Sequence, residues 1–574
     1  MHVQQRSGWW IVPLLSVLSL GAAGGETPLI EAVKSGDVTT LSALMQQRVD
    51  VNLAEPDGTT ALHWAAHRDD LGAADLLIGA GADVTAANRY GVTPLTLACI
   101  NGNAAMLEKL LDAGADPNSS LPEGETVLMT AARTGKVDAV KVLLARGADV
   151  HAKDGWRETT ALMWAAAEDN PATVEALLER GANIHERAKN GFTPLLFAAR
   201  EGGIDTARAL LAAGADPNDA TPAERVLQLD VWVELDHGTS ALVLAIINVN
   251  FELAALLLDK GADPNAADPR GSALHALAWV RRPGYSNPPP RTPTGNMDSL
   301  ELAEALLVHG ANPNVQLVWE EIRFDRNRGA VKLPPNISVG RNWLSFIGAT
   351  PFYLAAKHCD VDLMRLLADN GADPTLATVQ NVTPLMAAAG LGYWDGESPG
   401  IQNGISEPET LAAVKLAWEL GNDVNAVTDY GDTPVEAQFS QLGPDGDGNK
   451  ITGATQLEGS ILLRRHPSNL TEFNPQKDLG DMRWGGTTAL HGAVLRDAAS
   501  VVEFLVEKGA RLDVRSELGW TPLVLAQGVF SSNTVKEFTR AGEMLRRLMT
   551  DRGLDPELYG QTGNSDTTTL TSTR

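Results

Sequence analysis

The chain has 574 residues, 44% of them hydrophobic, and its 46 Lys and Arg against 72 Asp and Glu leave a formal net charge of −26. That surplus argues against a nucleic-acid backbone or an anionic lipid surface as the main partner, because both need clustered Lys and Arg. The length disfavours a single globule, since one hydrophobic core stops growing beyond roughly 250–300 residues.

The first segment places Arg6 before an apolar run from Trp9 to Leu20, followed by the small residues Gly21-Ala22-Ala23-Gly24-Gly25. This is the pattern of a secretory signal peptide over residues 1–24, and its apolar run is too short to span a bilayer. The expected location is therefore outside the cytoplasm, in a periplasm or the exterior. Only two cysteines exist, Cys99 and Cys359, far apart in the chain, and both are read as free thiols.

From residue 26 onward one phrase recurs: Thr or Ser, a Pro or small residue, Leu, then an Ala-rich segment. Copies start at Thr27, Thr60, Thr93, Thr126, Thr160, Thr193, Ser240, Ser272, Thr350, Thr383, Thr433, Thr488 and Thr521. Six of the steps between them are 33 residues, two miss that value by one, and four are longer. A second phrase follows most starts by about twenty residues, as in Gly81-Ala82-Asp83, Gly114-Ala115-Asp116, Gly147-Ala148-Asp149 and Gly371-Ala372-Asp373. On these two phrases and their period the chain resembles the ankyrin-repeat family, and in particular secreted bacterial members of unassigned role. The resemblance implies an all-α solenoid of about 12–13 helix-hairpin units with finger loops and several long insertions.

The copy at Thr93 explains why the unit folds. Thr93 caps a helix whose first turn tolerates Pro94, and Leu95, Leu97 and Ala98 point inward. A second helix near Ala104–Ala113 carries Met106, Leu107, Leu110 and Leu111 at spacings of three and four, one apolar stripe. Gly114 ends it in a left-handed conformation, and Asp116-Pro117-Asn118 through Gly124 form a finger-like hairpin. Neither helix can hide its stripe alone, so neighbouring copies must stack.

The long steps mark insertions. The expected organisation is an N-terminal array over 25–280 interrupted at 219–238, insertions flanking one repeat over 281–348, repeats over 349–440, an insertion over 441–486, repeats over 487–552 and a disordered tail over 553–574. Residues 227–235 alternate apolar and polar side chains as a strand would. Pro283-Gly284 and Pro288-Pro289-Pro290 mark an irregular loop. Residues 314–348 hold Trp319, Phe324, Trp343 and Phe346 among Arg323, Arg326, Arg328 and Arg341, a composition that suits either a binding loop or a loop packing on its own small core. Asp445-Gly446-Asp447-Gly448-Asn449 resembles the start of a calcium loop, but Lys450 and Gln456 break the pattern and a polar turn is the better reading.

No set of nucleophile, base and orienting group emerges, and no cofactor or metal site is expected. His63, His275 and His491 share the fourth position of the phrase, where the family resemblance implies a bond to neighbouring finger backbone. Trp64 and Trp164, one residue later, are read as core.

The resemblance places binding on the finger tips and on the residues after the paired Ala of the first helix, which line a concave face. Those positions hold Arg89 and Tyr90, Glu123, Glu125 and Arg133, Trp156 and Arg157, and Phe192 and Arg200. The expectation is a non-enzymatic, exported protein that binds another protein through Tyr90, Arg133, Trp156, Arg157, Phe192, Arg200, Trp319, Arg323 and Trp343. The alternative is an enzyme or carbohydrate binder built from the insertion tryptophans Trp319, Trp343, Trp394 and Trp484.

Overall fold

A computed structural model describes residues 28–222, 238–266, 271–281, 295–317, 348–378, 380–392, 405–428, 485–516, 519–528, 530–531, 534–535 and 537–560. The signal segment, the 227–235 alternation, the proline loop, the aromatic loop with Trp319, Arg323 and Trp343, the residues Trp394 and Trp484, the 445–449 turn and the chain after 560 lie outside them. The residues form two compact units, Met1–Ile184 and His185–Arg574.

In the first unit five helix pairs follow one another: α1 (Pro28–Ser35) and α2 (Val38–Gln46), α3 (Ala61–His67) and α4 (Leu71–Gly79), α5 (Pro94–Asn101) and α6 (Ala104–Asp112), α7 (Val127–Arg133) and α8 (Val137–Ala145), α9 (Ala161–Ala167) and α10 (Pro171–Glu179). First helices pack on first helices and second on second, so each apolar stripe is covered by the next copy. Met106, Leu107 and Leu110 are fully buried, whereas Leu97 and Leu111 are only half covered. Gly114 has φ +101°, the left-handed value that a side chain would resist.

The second unit holds α11 (Pro194–Glu201) and α12 (Ile204–Ala212), α13 (Ala241–Ile247) and α14 (Phe251–Asp259), α15 (Ala273–Arg281) and α16 (Ser299–Val308), α17 (Pro351–Lys357) and α18 (Val361–Asp369), α19 (Pro384–Ala389) and α20 (Glu407–Glu419), α21 (Ala489–Leu495) and α22 (Ala499–Glu507), then α23 (Pro522–Ala526) and α24 (Thr539–Asp551). A two-residue antiparallel pair, β1 (Phe530–Ser531) and β2 (Thr534–Val535), lies between α23 and α24. The chain then makes one more short helix, α25 (Pro556–Tyr559), tied back by Thr521 Oγ1, which donates to Tyr559 O at 2.7 Å. Order thus extends past residue 553, where the disordered tail was expected. Ala541, Leu545 and Met549 bury one side of α24, and Arg546 and Arg547 stay outside, as an end cap requires.

Three insertions leave and rejoin the array at a single rung of a finger. Thr221 N donates to Thr239 O at 3.0 Å, Leu317 N to Ala349 O at 2.9 Å and Thr428 N to Thr487 O at 2.9 Å. With the flanking residues joined at that rung, the helices on either side keep their contact: α19 packs directly on α21, and α20 on α22. No described helix pair stands between them; the phrase at Thr433 lies outside the described residues, which hold twelve helix pairs.

Two polar devices set the spacing. Asn52, Asn118, Asn218, Asn265, Asn314 and Asn425 each donate to the Gly carbonyl of the next copy and accept from the amide two residues further on. The amide of Thr60 donates to His63 Nδ1 at 3.1 Å, so Nε2 carries the ring proton and donates to Val92 O at 3.0 Å. His275 joins Ser272 to Ala349 and His491 joins Thr488 to Trp520 in the same way.

Candidate protein-interaction surface

In the first unit the finger tips touch through backbone. Arg89 N donates to Asp57 O at 2.7 Å and Gly155 N to Glu123 O at 2.9 Å. Asn88 Oδ1 accepts from Tyr90 N and Val92 N, both at 3.0 Å, which holds the Tyr90 turn. Asp154 does more for the next-but-one finger, accepting from Trp156 N at 2.9 Å, Arg157 N at 2.6 Å and Thr159 N at 2.9 Å. These turns push two aromatic rings outward: Tyr90 is 41% and Trp156 60% exposed. Each has a guanidinium against it, Arg89 Cζ at 5.1 Å and Arg157 Cζ at 4.8 Å from the ring centre. A pre-stacked Arg and aromatic ring present large contact area with little side-chain freedom left to lose.

Below the fingers, the last turns of the first helices carry Lys34, His67 and Arg133, with no acidic residue in the first turns of α3 and α7. Trp64 and Trp164, expected in the core, are half-buried on this face. Lys34 Nζ lies 4.8 Å from the Trp64 ring centre, and Arg133 Cζ 5.8 Å from that of Trp164. Glu55 binds both members of the first group, taking the Trp64 indole N–H at 2.8 Å and Lys34 Nζ at 2.6 Å. Burial alone would lower the Lys34 pKa, but its hydrogen bonds to Glu55 and Glu31 raise it. Glu125 accepts from Thr130 Oγ1 at 2.9 Å and from Arg133 Nη2 at 3.3 Å.

The second unit departs from the sequence expectation at Phe192, which is fully buried rather than displayed. It packs on Phe197 with ring centres 5.2 Å apart, and Arg200 covers both rings at 5.4 and 5.1 Å. The reason lies in position. Phe192 sits immediately before the capping Thr, a slot also buried at Thr59, Val92, Thr159, Ala349 and Val382, whereas Tyr90 and Trp156 lie earlier, at the tip. Arg200 stays half-buried and pairs with Glu201 at 2.6 Å. Burial, with the nearby Arg496 cation adding to it, draws Lys357 down to about 8, and its Nζ donates to Gly392 O at 3.3 Å.

A groove of ≈ 350 Å³ on the second-helix side of the first unit is lined by Glu108, Lys141, Arg146, Glu179 and Arg180 among others, with no aromatic ring in its wall. Among the described residues no helix is long and apolar enough to cross a membrane.

Family profiles for ankyrin repeats in three copies match residues 10–88, 73–154 and 128–221, and the single-repeat profile matches 237–269, 347–379 and 485–517. A BTB/POZ domain and ankyrin repeat-containing protein, BOP, of Lupinus luteus is 30% identical over 137 residues, 22% of this chain and 26% of that protein. The chain thus spans about a quarter of the length of this curated relative. Among solved structures, the human ASB11 ankyrin repeat domain is 27% identical, with a TM-score of 0.36, over 42% of this chain and 100% of that domain. With matched profiles over more than half of its length, on stacked helix pairs, the chain belongs to the ankyrin-repeat family.

Proposed function

We propose that this ankyrin-repeat chain is a non-enzymatic, exported protein that binds a protein partner through the finger tips and first-helix face of its first unit. The supporting observation is Trp156, 60% exposed at a finger tip whose backbone Asp154 holds rigidly, with Arg157 stacked on it. A buried Trp of this size contributes on the order of 2 kcal/mol or more at an interface centre, and an exposed one in a monomer contributes nothing comparable to folding. Tyr90, Arg133 and, in the second unit, Arg200 belong to the same reading, as do Trp319, Arg323 and Trp343 of the long finger. The excess of acidic residues supports a protein rather than a nucleic-acid partner. Export rests on the apolar run Trp9–Leu20 and its small-residue flank.

The test is a comparative capture: full-length chain against the Tyr90→Ala, Trp156→Ala double variant, with bound proteins quantified from the producing cell's extracellular or periplasmic fraction. Loss of a specific protein from the variant supports the reading, and identical capture by both chains removes it. The amino terminus of the purified exported protein, read by mass spectrometry, tests cleavage.

A further inference from the structure

Trp64 and Trp164 occupy the same slot, four residues after the capping Thr60 and Thr160, and each has a cation from the preceding first-helix face against its ring, Lys34 and Arg133. Their indole N–H groups differ. That of Trp64 donates to the Glu55 carboxylate at 2.8 Å, and the same carboxylate receives Lys34 Nζ at 2.6 Å. In the later finger the matching rung residue is Asp154: its amide pairs with Thr159 O as that of Glu55 pairs with Thr59 O. The shorter side chain of Asp154 turns into its own loop to bind Trp156 N, Arg157 N and Thr159 N. It does not reach the indole. Trp164 Nε1 and Arg133 Nε are both covered and without an acceptor, although Glu125 holds the other end of the same guanidinium.

Resting on the interaction reading above, we infer that the pair Trp164 and Arg133 is a receptor for one carboxylate of the protein partner, an Asp or Glu side chain placed as Glu55 is placed on Trp64 and Lys34. Chemistry selects the carboxylate. Two N–H donors, one of them on a permanent cation, call for a charged two-oxygen acceptor, and the incoming oxygens satisfy donors that are otherwise buried without a partner. The guanidinium lying over the ring is the cover, and its swing toward the incoming group exposes both nitrogens. The face carries Lys34, His67, Arg68 and Arg133; of its acids, Glu31 and Glu55 are bound to Lys34 and Glu125 to Arg133, and Glu168 follows Trp164 at the end of α9. An acidic partner segment thus meets a basic strip on a chain that is acidic as a whole.

The experiment uses the full chain labelled with 5-fluorotryptophan, with the Trp64, Trp156 and Trp164 resonances assigned from Trp→Phe variants. The probe is the blocked pentapeptide Gly-Glu-Gly-Glu-Gly, with Gly-Gln-Gly-Gln-Gly as its neutral twin. A saturable shift of the Trp164 signal with the acidic peptide alone is expected, weakened about tenfold or more by Arg133→Gln, as loss of a charge-assisted bond implies. The Trp64 signal stays still until Glu55→Ala vacates its carboxylate, after which it responds. A Trp164 signal that ignores the acidic peptide, or that answers both peptides alike, overturns the inference. If partner capture still depends on Tyr90 and Trp156 in that case, only the carboxylate assignment falls and the interaction reading stands.

Discussion

Asn118 grips the start of the next finger from both sides: its Nδ2 donates to Gly147 O at 3.2 Å, and its Oδ1 accepts Asp149 N at 2.7 Å. Replacement by Ala strands one amide and one carbonyl at a repeat junction, for a cost of about 1–2 kcal/mol. At the equivalent place in the preceding copy stands Thr85, which bonds only to Asp83. Thr85→Asn is expected to reach Gly114 O and Asp116 N and to stabilise the first unit by roughly 0.5–1.5 kcal/mol. Urea denaturation of the two variants against the parent checks both signs.

Acid should weaken the array through its buried rings. Burial pulls His275 and His491 down to about 4, and burial together with the Lys357 cation does the same to His358. The folded chain therefore keeps these rings neutral where the unfolded chain, with ordinary values near 6.5, takes up protons. Their contribution is whole above about pH 6.5 and declines as pH falls toward 4, by roughly 3 kcal/mol per ring at most. Stability measured at pH 7 and at pH 4.5 should differ less in His275→Gln than in the parent. An equal pH slope in the two chains would refute the assignment.

Arg281 and Asp360 form a buried two-point ion pair, Nε to Oδ2 at 2.6 Å and Nη2 to Oδ1 at 3.1 Å, with side chains 11% and 2% exposed. The same carboxylate caps α18 through Leu363 N, and Arg281 Nη1 donates to Ser299 Oγ at 2.6 Å. Arg281→Met leaves the Asp360 charge buried without its counter-ion, at an expected cost of about 3–5 kcal/mol. An exposed pair such as Arg547 and Glu503 should cost under about 1 kcal/mol when broken the same way. Thermal unfolding of the two variants gives the comparison.

Trp156→Ala should leave folding nearly unchanged, within about 0.5 kcal/mol, because the ring is mostly in solvent. Phe192→Ala, one finger later, should cost about 3–5 kcal/mol, since it empties a packed site against Phe197. The two aromatic residues looked alike as finger residues, and their opposite behaviour in the same assay separates a displayed ring from a core one.

The helix pairs were legible in the sequence because they repeat: capping Thr, apolar spacing and terminal Gly recur at one period, and Thr93, Met106 and Gly114 behave as that pattern requires. The His63 bond to Val92 followed from the family resemblance. Finger residues were harder, because exposure there turns on a difference of two or three positions. Phe192 falls in the inward slot before the capping Thr, a signal visible only after Val92, Ala349 and Val382 are aligned with it. Trp64 and Trp164 misled for the converse reason: a large apolar ring on a helix reads as core, and the stacked cations that cover them come from a neighbouring copy. The Asp154 turn, which leaves the Trp164 indole without its acid, depends on one extra residue in that finger and on a side chain one methylene shorter than Glu55.

A photo-reactive residue tests the central claim most directly. With p-benzoylphenylalanine placed at Trp156 in one chain and at Val308, 84% exposed on a second helix, in another, covalent adducts are compared in the producing cell. The finger position should yield a defined protein adduct that the Val308 position does not. Adducts of equal yield from both positions, or from Val308 alone, would contradict it.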